Sequence, residues 1–289
     1  MKILKFDGNL LRKTVDEVIN HKKYEGMKWR RFYELNKTLK GFRPNELTVF
    51  SGRTGVGKTT FLCEYSLDLA EQGVSTLWGS FEMPLSKICK TLLYQYSGEN
   101  LTTVNESRIL EWCHNFSKLP IYFIDRDTRY SFDSILSTLE TSTGYLKIQH
   151  IIIDNLQFIM GSDESNFQER FIKQDKFVAK LRKFVSTHET HLTLVVHPKK
   201  EDYSTKLDIS SLYGGGKISQ ESDNIIFLQE DSTSMIPRRY IQIAKNRYDG
   251  TIGRIDLSFN SDRKSYRPQK KQLTDCDTEK FEDVKKYNI

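Results

Sequence analysis

One short motif constrains the fold of this chain more than any other feature. Residues 52–59 read GRTGVGKT, directly after the apolar run LTVF at 47–50 and directly before a helical pattern. A strand, a turn of the form GxxxxGK followed by Ser or Thr, and a helix together make a phosphate-binding loop, or P-loop. Its backbone N–H groups and the helix N-terminus face phosphate oxygens. The chain is therefore predicted to fold around a nucleotide at the end of a strand.

The motif also assigns roles within the loop. Lys58 is predicted to place its positive charge at the β- and γ-phosphates, and Thr59 to help ligate Mg²⁺. ATP or another NTP and Mg²⁺ are thus the predicted cofactors. The predicted nucleotide contacts are Gly52, Arg53, Thr54, Gly55, Val56, Gly57, Lys58, Thr59 and Thr60.

Short apolar runs alternate with helical patterns along the rest of the chain. The runs are LTVF, STLWGSF, PIYFID, HIIIDN, HLTLVVHP and NIIFLQ. Nearly continuous apolar runs are typical of strands that are buried on both faces of a parallel sheet. The sequence predicts an α/β fold with a mostly parallel, doubly wound sheet. The later runs RYIQIAKNR and IGRIDLSF alternate apolar with polar residues and predict a hairpin with one wetter face.

Three of the apolar runs end in a polar side chain that suits NTP chemistry. Because the carboxyl ends of parallel strands converge on the nucleotide, we expect these side chains near the P-loop. Asp154 is predicted to help hold Mg²⁺, Glu82 to orient or deprotonate water, and His197 to sense the γ-phosphate. The alternatives are a capping aspartate, a solvent-facing glutamate and a structural histidine.

The regions outside the central motifs differ in character. Residues 1–24 predict an amphipathic linker helix, residues 25–268 the α/β domain, and residues 269–289 a polar surface tail. The apolar positions of the linker helix are Leu10, Leu11, Val15, Val18 and Ile19.

Composition argues against a disulfide framework, a zinc site and a membrane partner, and it is compatible with a nucleic-acid partner. The four cysteines lack a CxxC pair and zinc-ligand spacing, so neither a disulfide framework nor a zinc site is predicted. No apolar run approaches the length of a membrane helix, so no membrane partner is expected. Lys plus Arg exceed Asp plus Glu by 44 to 38, and this charge of +6 permits a nucleic-acid partner without requiring one.

The motifs, taken in order, resemble those of a known family. GRTGVGKTTF, WGSFEMP, HIIIDNLQF, VVHPKKED, GGGKISQESDNIIFLQ and KNRYDGTIG are similar to motifs of the hexameric replicative helicases of the DnaB kind, which include phage primase-helicases and mitochondrial members. The resemblance covers about residues 28–260. It implies a RecA-like P-loop NTPase core. No zinc-binding or primase-like region precedes these motifs, so priming is not expected.

The resemblance gives roles to residues that spacing alone leaves unexplained. Arg247 is implied to be an arginine finger and Lys245 its companion, both reaching the nucleotide of the next subunit. The helix over 9–20 is implied to dock on a neighbouring subunit, although it could equally pack on its own domain. Phe259 stands where the base-stacking aromatic of the family would lie, or it continues the core alternation of its strand.

DNA contacts are implied by the same resemblance. The glycine-rich stretch at 213–220 is similar to the DNA loop in the central channel of these helicases, and a flexible backbone with cations facing phosphates suits single-stranded DNA. A plain flexible turn is the alternative for its glycines. The implied DNA-binding residues are Lys199, Lys200, Gly215, Gly216, Lys217 and Gln220.

Taken together, these features predict a ring-forming replicative DNA helicase motor that couples NTP hydrolysis to translocation on single-stranded DNA and to duplex unwinding. The expected partners are single-stranded and forked DNA and other copies of the chain in a homo-hexamer or heptamer. A mitochondrial location follows from the resemblance alone, since the first residues show no transit peptide. Two alternatives are a DNA-binding RecA-like ATPase for recombination or strand annealing without strong unwinding, and a small-molecule kinase, against which the glycine-rich loop and the KNRYDG hairpin argue.

Overall fold

The computed structural model describes residues 5–21, 25–125, 131–161, 167–199, 205–231 and 238–269. The strands in these ranges are β1 (Leu47–Ser51), β2 (Thr76–Ser80), β3 (Ile121–Phe123), β4 (His150–Asp154), β5 (His191–Val196), β6 (Asn224–Asp231), β7 (Arg238–Asn246), β8 (Gly253–Asn260) and β9 (Ser265–Pro268). The helices are α1 (Gly8–Ile19), α2 (Leu35–Leu39), α3 (Lys58–Ala70), α4 (Leu85–Ser97), α5 (Glu106–Phe116), α6 (Phe132–Leu146), α7 (Leu156–Gly161), α8 (Phe167–His188) and α9 (Gly215–Glu221).

The described strands form one sheet in the order β3-β2-β4-β5-β1-β6-β7-β8-β9. The part from β3 to β6 is parallel, and β7, β8 and β9 join it as antiparallel strands. Strands β1, β2, β4 and β5 are buried at every position, as their continuous apolar sequences require. The predicted mostly parallel sheet and the predicted hairpin of β7 and β8 are therefore confirmed.

Helices cover both faces of this sheet. On one face, Phe61 and Leu62 of α3 and Leu92 of α4 pack on Phe50 and Ile152. On the other face, side chains of α6 and α8 such as Leu139 and Leu181 pack on Val49 and Ile153. Alternate residues of one strand thus serve two cores, and each fully buried Leu, Ile or Phe contributes about 1.5–3 kcal/mol.

The segment before the first strand belongs to the core as well. Trp29, Phe32 and Leu35 are buried in the cluster that covers α3. Arg31 fixes the segment electrostatically, since its guanidinium pairs with Glu64 and Glu71 of the P-loop helix region. The segment before β1 is therefore fixed to α3, the helix that follows the P-loop.

Helix α1 is amphipathic, and it buries none of its side chains against the described part of the domain. None of its residues is buried, and Val18 and Ile19 are each 70% exposed. Its apolar stripe is therefore open, so the alternative of packing on its own domain is wrong for this conformation. None of the helices in the described ranges combines the length and the apolar character that crossing a membrane requires.

Candidate functional site

The P-loop connects β1 to α3 in the predicted way. Gly57 is the N-cap of α3 with φ of 101°, a left-handed backbone that favours glycine. A Cβ atom at Gly57 would lie 2.3 Å from the Tyr266 hydroxyl, and one at Gly52 would lie 2.4 Å from the carbonyl oxygen of Leu228. Glycine is therefore required here by close neighbours from β6 and β9 as well as by the turn.

Lys58 is held against its own loop. Its buried ammonium group donates hydrogen bonds to the carbonyl oxygens of Gly52 at 2.8 Å and Arg53 at 3.1 Å. Burial lowers the pKa of Lys58, and the nearby carboxylates of Asp154 and Glu82 oppose that effect. The amine is a cation placed in a poorly solvated loop, where its attraction for a phosphate is stronger than in water.

Asp154 and Thr59 meet beneath the P-loop. The Thr59 hydroxyl donates to Asp154 Oδ2 at 2.6 Å. Asp154 Oδ1 is buried and has no hydrogen-bond partner among the described residues, and burial raises the pKa of this carboxyl to about 6. A hydroxyl beside a carboxylate with an unpartnered oxygen suits Mg²⁺, which prefers oxygen ligands and usually takes few from the protein. These two residues fit the implied metal.

Glu82 and His197 also lie at the carboxyl ends of the parallel strands, and they meet at a third residue. Asn155 donates one amide hydrogen to Glu82 Oε2 and lies 2.8 Å from His197 Nε2. Glu82 Oε2 and His197 Nε2 are 3.4 Å apart. Burial and the charge of Lys58 lower the pKa of His197, so the imidazole is neutral at pH 7. We call this end of the strands the carboxyl end of the sheet.

Asn155 and Gln157 are the site residues that the sequence analysis missed. Gln157 accepts a hydrogen bond from the His197 backbone N–H at 2.9 Å. The available signal was their position, since Asn155 directly follows Asp154 and Gln157 lies two residues further on in the motif HIIIDNLQF. They fix the carboxylate and the imidazole relative to each other.

The other predicted nucleotide contacts lie beside a cavity of about 480 Å³ next to the P-loop. Its lining includes Arg53, Thr54, Gly55, Val56 and Arg239. The Arg53 guanidinium donates to the carbonyl oxygen of Thr205 at 2.6 Å. The Thr60 carbonyl oxygen accepts from Gln95 Nε2 at 2.9 Å, which holds α3 to α4.

Arg239 of β7, which lines this cavity, contacts aromatic side chains of β8 and β9. Tyr266 of β9 lies with its hydroxyl 3.3 Å from the Val56 carbonyl oxygen and 3.1 Å from Arg239 Nη1. Phe259 is 40% exposed, rests on Tyr266 with ring centroids 4.8 Å apart and lies 5.3 Å from the Arg239 guanidinium carbon. The core-packing alternative for Phe259 is therefore wrong, because the ring is open to solvent beside an arginine.

Lys245 and Arg247 lie at the opposite end of the sheet, which we call the amino end. Asn246 of β7 pairs with Asn224 of β6, and Asn224 pairs with Thr48 near the start of β1. The P-loop begins only after Ser51, so at about 3.3 Å per residue the start of the loop is roughly 10 Å away along the strands. These two basic residues are not positioned to serve the P-loop of their own chain.

The implied DNA loop is helical rather than open. Gly214, with φ of 72°, is the N-cap of α9, which contains Gly215, Gly216, Lys217 and Gln220. Lys217 pairs with Glu221 at 2.7 Å. The expectation of a flexible backbone over 213–220 is wrong for residues 215–220, which are helical. The left-handed Gly214 begins the helix, and the buried side chain of Ile218 holds it against the core.

The lysines of the neighbouring loop are only partly accounted for. Lys199 donates from its ammonium group to the Ser210 carbonyl oxygen at 2.8 Å. Lys200 lies outside the described residues. Within the described ranges there is no group of three or more His, Cys, Asp or Glu side chains that could hold a metal ion.

Comparisons with known proteins agree with this geometry. The family described as the DnaB-like helicase C terminal domain matches residues 29–268. The chain is 24% identical over 262 residues to the replicative DNA helicase DnaB of Mycoplasma genitalium, covering 82% of this chain and 55% of that protein. It is 22% identical over 260 residues to the DNA helicase/primase of Enterobacteria phage T3, covering 84% and 46%. The chain thus spans about half the length of these curated relatives.

Solved structures share the fold. A DnaB-like replicative helicase, studied with its interactions with primase, superposes with a TM-score of 0.76 at 19% identity, covering 92% of this chain and 69% of that one. A separately solved ATPase domain also superposes with a TM-score of 0.76, at 18% identity, covering 91% and 100%. These likenesses confirm the predicted RecA-like α/β fold.

Proposed function

This chain belongs to the DnaB-like helicase C-terminal domain family, and we propose that it is the motor of a ring-forming replicative DNA helicase. In this proposal, NTP hydrolysis between subunits drives translocation on single-stranded DNA and unwinding of the duplex. Family membership favours this function over a recombination or annealing ATPase and over a small-molecule kinase.

One observation supports assembly into a ring. Each chain has a P-loop, Asp154, Glu82 and His197 at the carboxyl end of its sheet, whereas Arg247 lies at the amino end. Arg247 is therefore too far along the strands to act on the nucleotide of its own chain. Head-to-tail packing of identical chains would bring the amino end of one sheet to the carboxyl end of the next, and repeated packing of this kind forms a ring when the rotation between neighbours closes.

The residues of the site divide the chemistry among them. Glu82, held by Asn155, orients and deprotonates the water that attacks the γ-phosphate in line. Lys58 stabilises charge on the β- and γ-phosphate oxygens, and neutral His197 donates or accepts a hydrogen bond at the γ-phosphate. Thr59 and Asp154 would hold Mg²⁺, which when bound neutralises phosphate charge.

Arg247 of the neighbouring subunit completes the site. A guanidinium placed at the γ-phosphate stabilises the charge of the transition state, an effect worth about 10³- to 10⁵-fold in rate in other NTPases. Lys245, near the end of the strand that precedes Arg247, adds a second positive charge. Hydrolysis then depends on the contact between subunits, so each step of the motor is tied to the packing of the ring.

The nucleic-acid contact is proposed at α9 and the loop before it. Lys199, Lys217, Gln220 and the glycines of α9 supply cations, an amide and close backbone approach, which suit phosphates of a single strand. Single-stranded and forked DNA are the proposed substrates. A homo-hexamer or heptamer is the proposed assembly, in which the open apolar stripe of α1 docks on the adjacent subunit.

We also propose a specific place within the family. The stretches ELTVF, TLWGSFE, IIIDNLQF and KNRYDG resemble the helicase domain of Twinkle, the mitochondrial replicative DNA helicase. A mitochondrial location would follow from that relationship. These motifs are the whole support for both statements.

The decisive experiment measures ATP hydrolysis with and without single-stranded DNA, together with unwinding of a forked duplex. We expect DNA-stimulated hydrolysis and strand separation in the unmodified chain. Lys58→Ala should lose both, and Arg247→Ala should lose about 10³-fold or more in hydrolysis while it keeps its nucleotide affinity. The matched control is Lys37→Ala, since Lys37 is an exposed lysine whose ammonium group pairs with the nearby Glu34.

The outcomes separate the proposals. Normal turnover in Lys58→Ala would contradict the assignment of the nucleotide site. A normal rate in Arg247→Ala would reject the finger in trans but leave the P-loop chemistry standing. Stimulated hydrolysis without strand separation would transfer the assignment to a DNA-dependent ATPase of the recombination or annealing type.

A further inference from the structure

Asp223 lies at the amino end of the sheet, between the last turn of α9 and the first residue of β6. It is buried, with 8% of its side chain exposed. A buried carboxylate is costly unless charged or polar partners surround it. Its partners therefore indicate what the residue does.

One oxygen and the backbone of Asp223 are fixed to the rest of the domain. Oδ2 accepts hydrogen bonds from the Leu47 backbone N–H at 2.8 Å and from Arg182 Nη1 at 2.6 Å. The backbone N–H of Asp223 donates to the Leu47 carbonyl oxygen at 2.8 Å. These contacts leave the carboxyl group little freedom to rotate.

The other oxygen is directed at Arg247. Oδ1 accepts from Arg247 Nη1 at 3.0 Å, and the Arg247 backbone N–H donates to the Asp223 carbonyl oxygen at 2.9 Å. Arg247 Nη2 donates to the Gln220 carbonyl oxygen at 2.6 Å. The Arg247 side chain is nevertheless 47% exposed, so it is accessible to a partner while it is held from behind.

We propose that Asp223 is a positioning residue for Arg247, holding its guanidinium ready for the nucleotide of the adjacent subunit. This inference rests on the proposed function, in which Arg247 is a finger in trans. A long, exposed arginine side chain samples many rotamers, and fixing it beforehand removes an entropy cost from the transition state. A charge-assisted hydrogen bond to a rigid carboxylate does this without covering the guanidinium.

The same carboxylate connects the finger to the P-loop of its own subunit. Asp223 makes hydrogen bonds to both the backbone N–H and the carbonyl oxygen of Leu47. Leu47 is the first residue of β1. The last residue of that strand, Ser51, directly precedes the P-loop. One short strand therefore joins a subunit's own nucleotide site to the arginine that it offers to the next site in the ring.

The test is a double-mutant cycle on the full chain, with kcat and KM for ATP measured in the presence of single-stranded DNA. Asp223→Asn keeps the shape and an acceptor oxygen but removes the charge. We expect it to lower kcat about 10²-fold, the effect of misplacing a catalytic group by about 1 Å, with KM unchanged. The double variant Asp223→Asn, Arg247→Ala should be no slower than Arg247→Ala, because Asp223 acts only through Arg247.

A matched control and a second variant guard against a folding artefact. Asp256→Asn removes one carboxylate of an exposed pair with Arg254, and hydrolysis should be unchanged. If Asp223→Asn unfolds below the assay temperature, Asp223→Glu replaces it in the cycle. That variant retains the charge but displaces the guanidinium, and it should also lower kcat without further loss in the double variant.

The results distinguish this inference from the proposed function. Losses that multiply in the double variant would assign Asp223 a purely structural role and overturn the inference. A normal kcat in the Asp223 variants together with a defective Arg247→Ala would also overturn it, while the finger in trans would stand. A normal rate in Arg247→Ala would instead remove the proposed function on which the inference rests.

Discussion

At the carboxyl end of the sheet, Asp154 has a buried oxygen without a partner in the described structure, and Lys58 donates only to carbonyl oxygens of its own loop in the contacts described. At the amino end, the largely buried side chains of Glu46, His191 and Asp223 each have two or more hydrogen-bond partners. Both ends contain buried ionisable groups. The ends differ in whether the buried carboxylate oxygens all have hydrogen-bond partners.

The unpartnered atoms near the amino end are of another kind. Thr190 Oγ1, Asn224 Oδ1 and His150 Nδ1 are buried without a hydrogen-bond partner in the described structure. The first two belong to neutral groups, and burial keeps the His150 imidazole uncharged by lowering its pKa well below the ordinary value. Arg43 Nη2 lacks such a partner as well, and the Arg43 guanidinium carbon lies 3.8 Å from the centre of the Tyr248 ring, which offers it a cation–π contact. An unsatisfied carboxylate oxygen is therefore the feature that distinguishes the carboxyl end.

This difference indicates which end of the sheet binds a ligand. A buried polar atom without a partner costs about 1–3 kcal/mol, more when the group is charged, and a fold retains it where a bound group supplies the missing partner. Satisfied networks, by contrast, define the packing of the strands that they join. The sheet therefore has an end suited to a ligand, called here the reactive end, and a structural end. In the proposed function, Arg247 is the group that the structural end presents to the next subunit.

Removing one carboxylate charge at each end tests the difference between the two ends most directly. Glu82→Gln keeps an acceptor for Asn155 but loses the base, so kcat should fall about 10²- to 10⁴-fold with little change in KM or in the melting temperature. Steady-state hydrolysis with single-stranded DNA and a thermal melt measure both quantities.

Glu46→Gln is the matched variant at the amino end. Glu46 pairs with Arg43 at 2.6 Å and accepts from Asn224 at 2.9 Å. Breaking a buried ion pair from one side costs about 3–5 kcal/mol because the partner's charge is left uncompensated. Burial raises the pKa of Glu46, so removing its charge offsets part of that cost. This variant should therefore lower the free energy of unfolding by less than that amount, while kcat is retained at a temperature where it remains folded. If Glu46→Gln were the slow enzyme and Glu82→Gln the unstable one, the assignment of the two ends would be reversed.

The sequence predicted the reactive end far better than the structural end. Glycine spacing and strand-end carboxylates are local signals, because the P-loop geometry requires particular residues at fixed positions. Asp154, Glu82 and His197 were found this way, and all three lie within reach of Lys58 or of one another.

The missed features depend on contacts distant in the chain. Strand β9 has only Ser265–Pro268, too short for a period-two pattern, and it forms because Tyr266 fits against Gly57 and its backbone N–H reaches Glu64. Helix α9 was missed because glycines weigh against helices by propensity. Asp223 carried no signal, since its partners come from β1, α8 and the end of β7.

A second test concerns the energetic cost of the reactive end. The pKa of Asp154, about 6 in the fold against an ordinary value of 3.8, means that folding favours its protonated form. That stabilisation is present below about pH 4 and is lost as the pH rises through 6. At pH 7.5, Asp154→Asn should therefore raise the free energy of unfolding by up to about 3 kcal/mol, since two pKa units correspond to roughly that amount.

Chemical denaturation at pH 7.5 and pH 4 measures this effect without nucleotide. The gain from Asp154→Asn should be largest at pH 7.5 and should shrink towards pH 4, and hydrolysis should be lost at both. Mg²⁺ with nucleotide should stabilise the unmodified chain more than the variant. A variant less stable than the unmodified chain at pH 7.5 would show that Asp154 belongs with the satisfied network.

The amino end should respond to pH in the opposite direction, and this is the smallest effect we expect. Burial lowers the pKa of His191 to about 4, so the folded chain keeps the imidazole neutral where the unfolded chain protonates it. The stability from the neutral form is present above about pH 6.5 and is lost as the pH falls towards 4. Between pH 6.5 and 5.5 this residue should contribute about 1 kcal/mol of acid destabilisation.

His191→Gln removes the titrating group while an amide remains to meet Thr48 and the Arg43 carbonyl oxygen, which His191 contacts at 2.9 Å and 2.7 Å. The variant should be less stable at pH 7.5 and should lose part of the fall in unfolding free energy between pH 6.5 and 5.5. The neighbouring His150, whose pKa burial also lowers, is unchanged in this variant and keeps its own part of that fall. Asp154 and His191 are both buried, but burial shifts their pKa values in opposite directions. The two variants should therefore change the pH dependence of the free energy of unfolding in opposite directions. Equal changes would mean that the two ends of the sheet do not differ in the way their hydrogen bonds indicate.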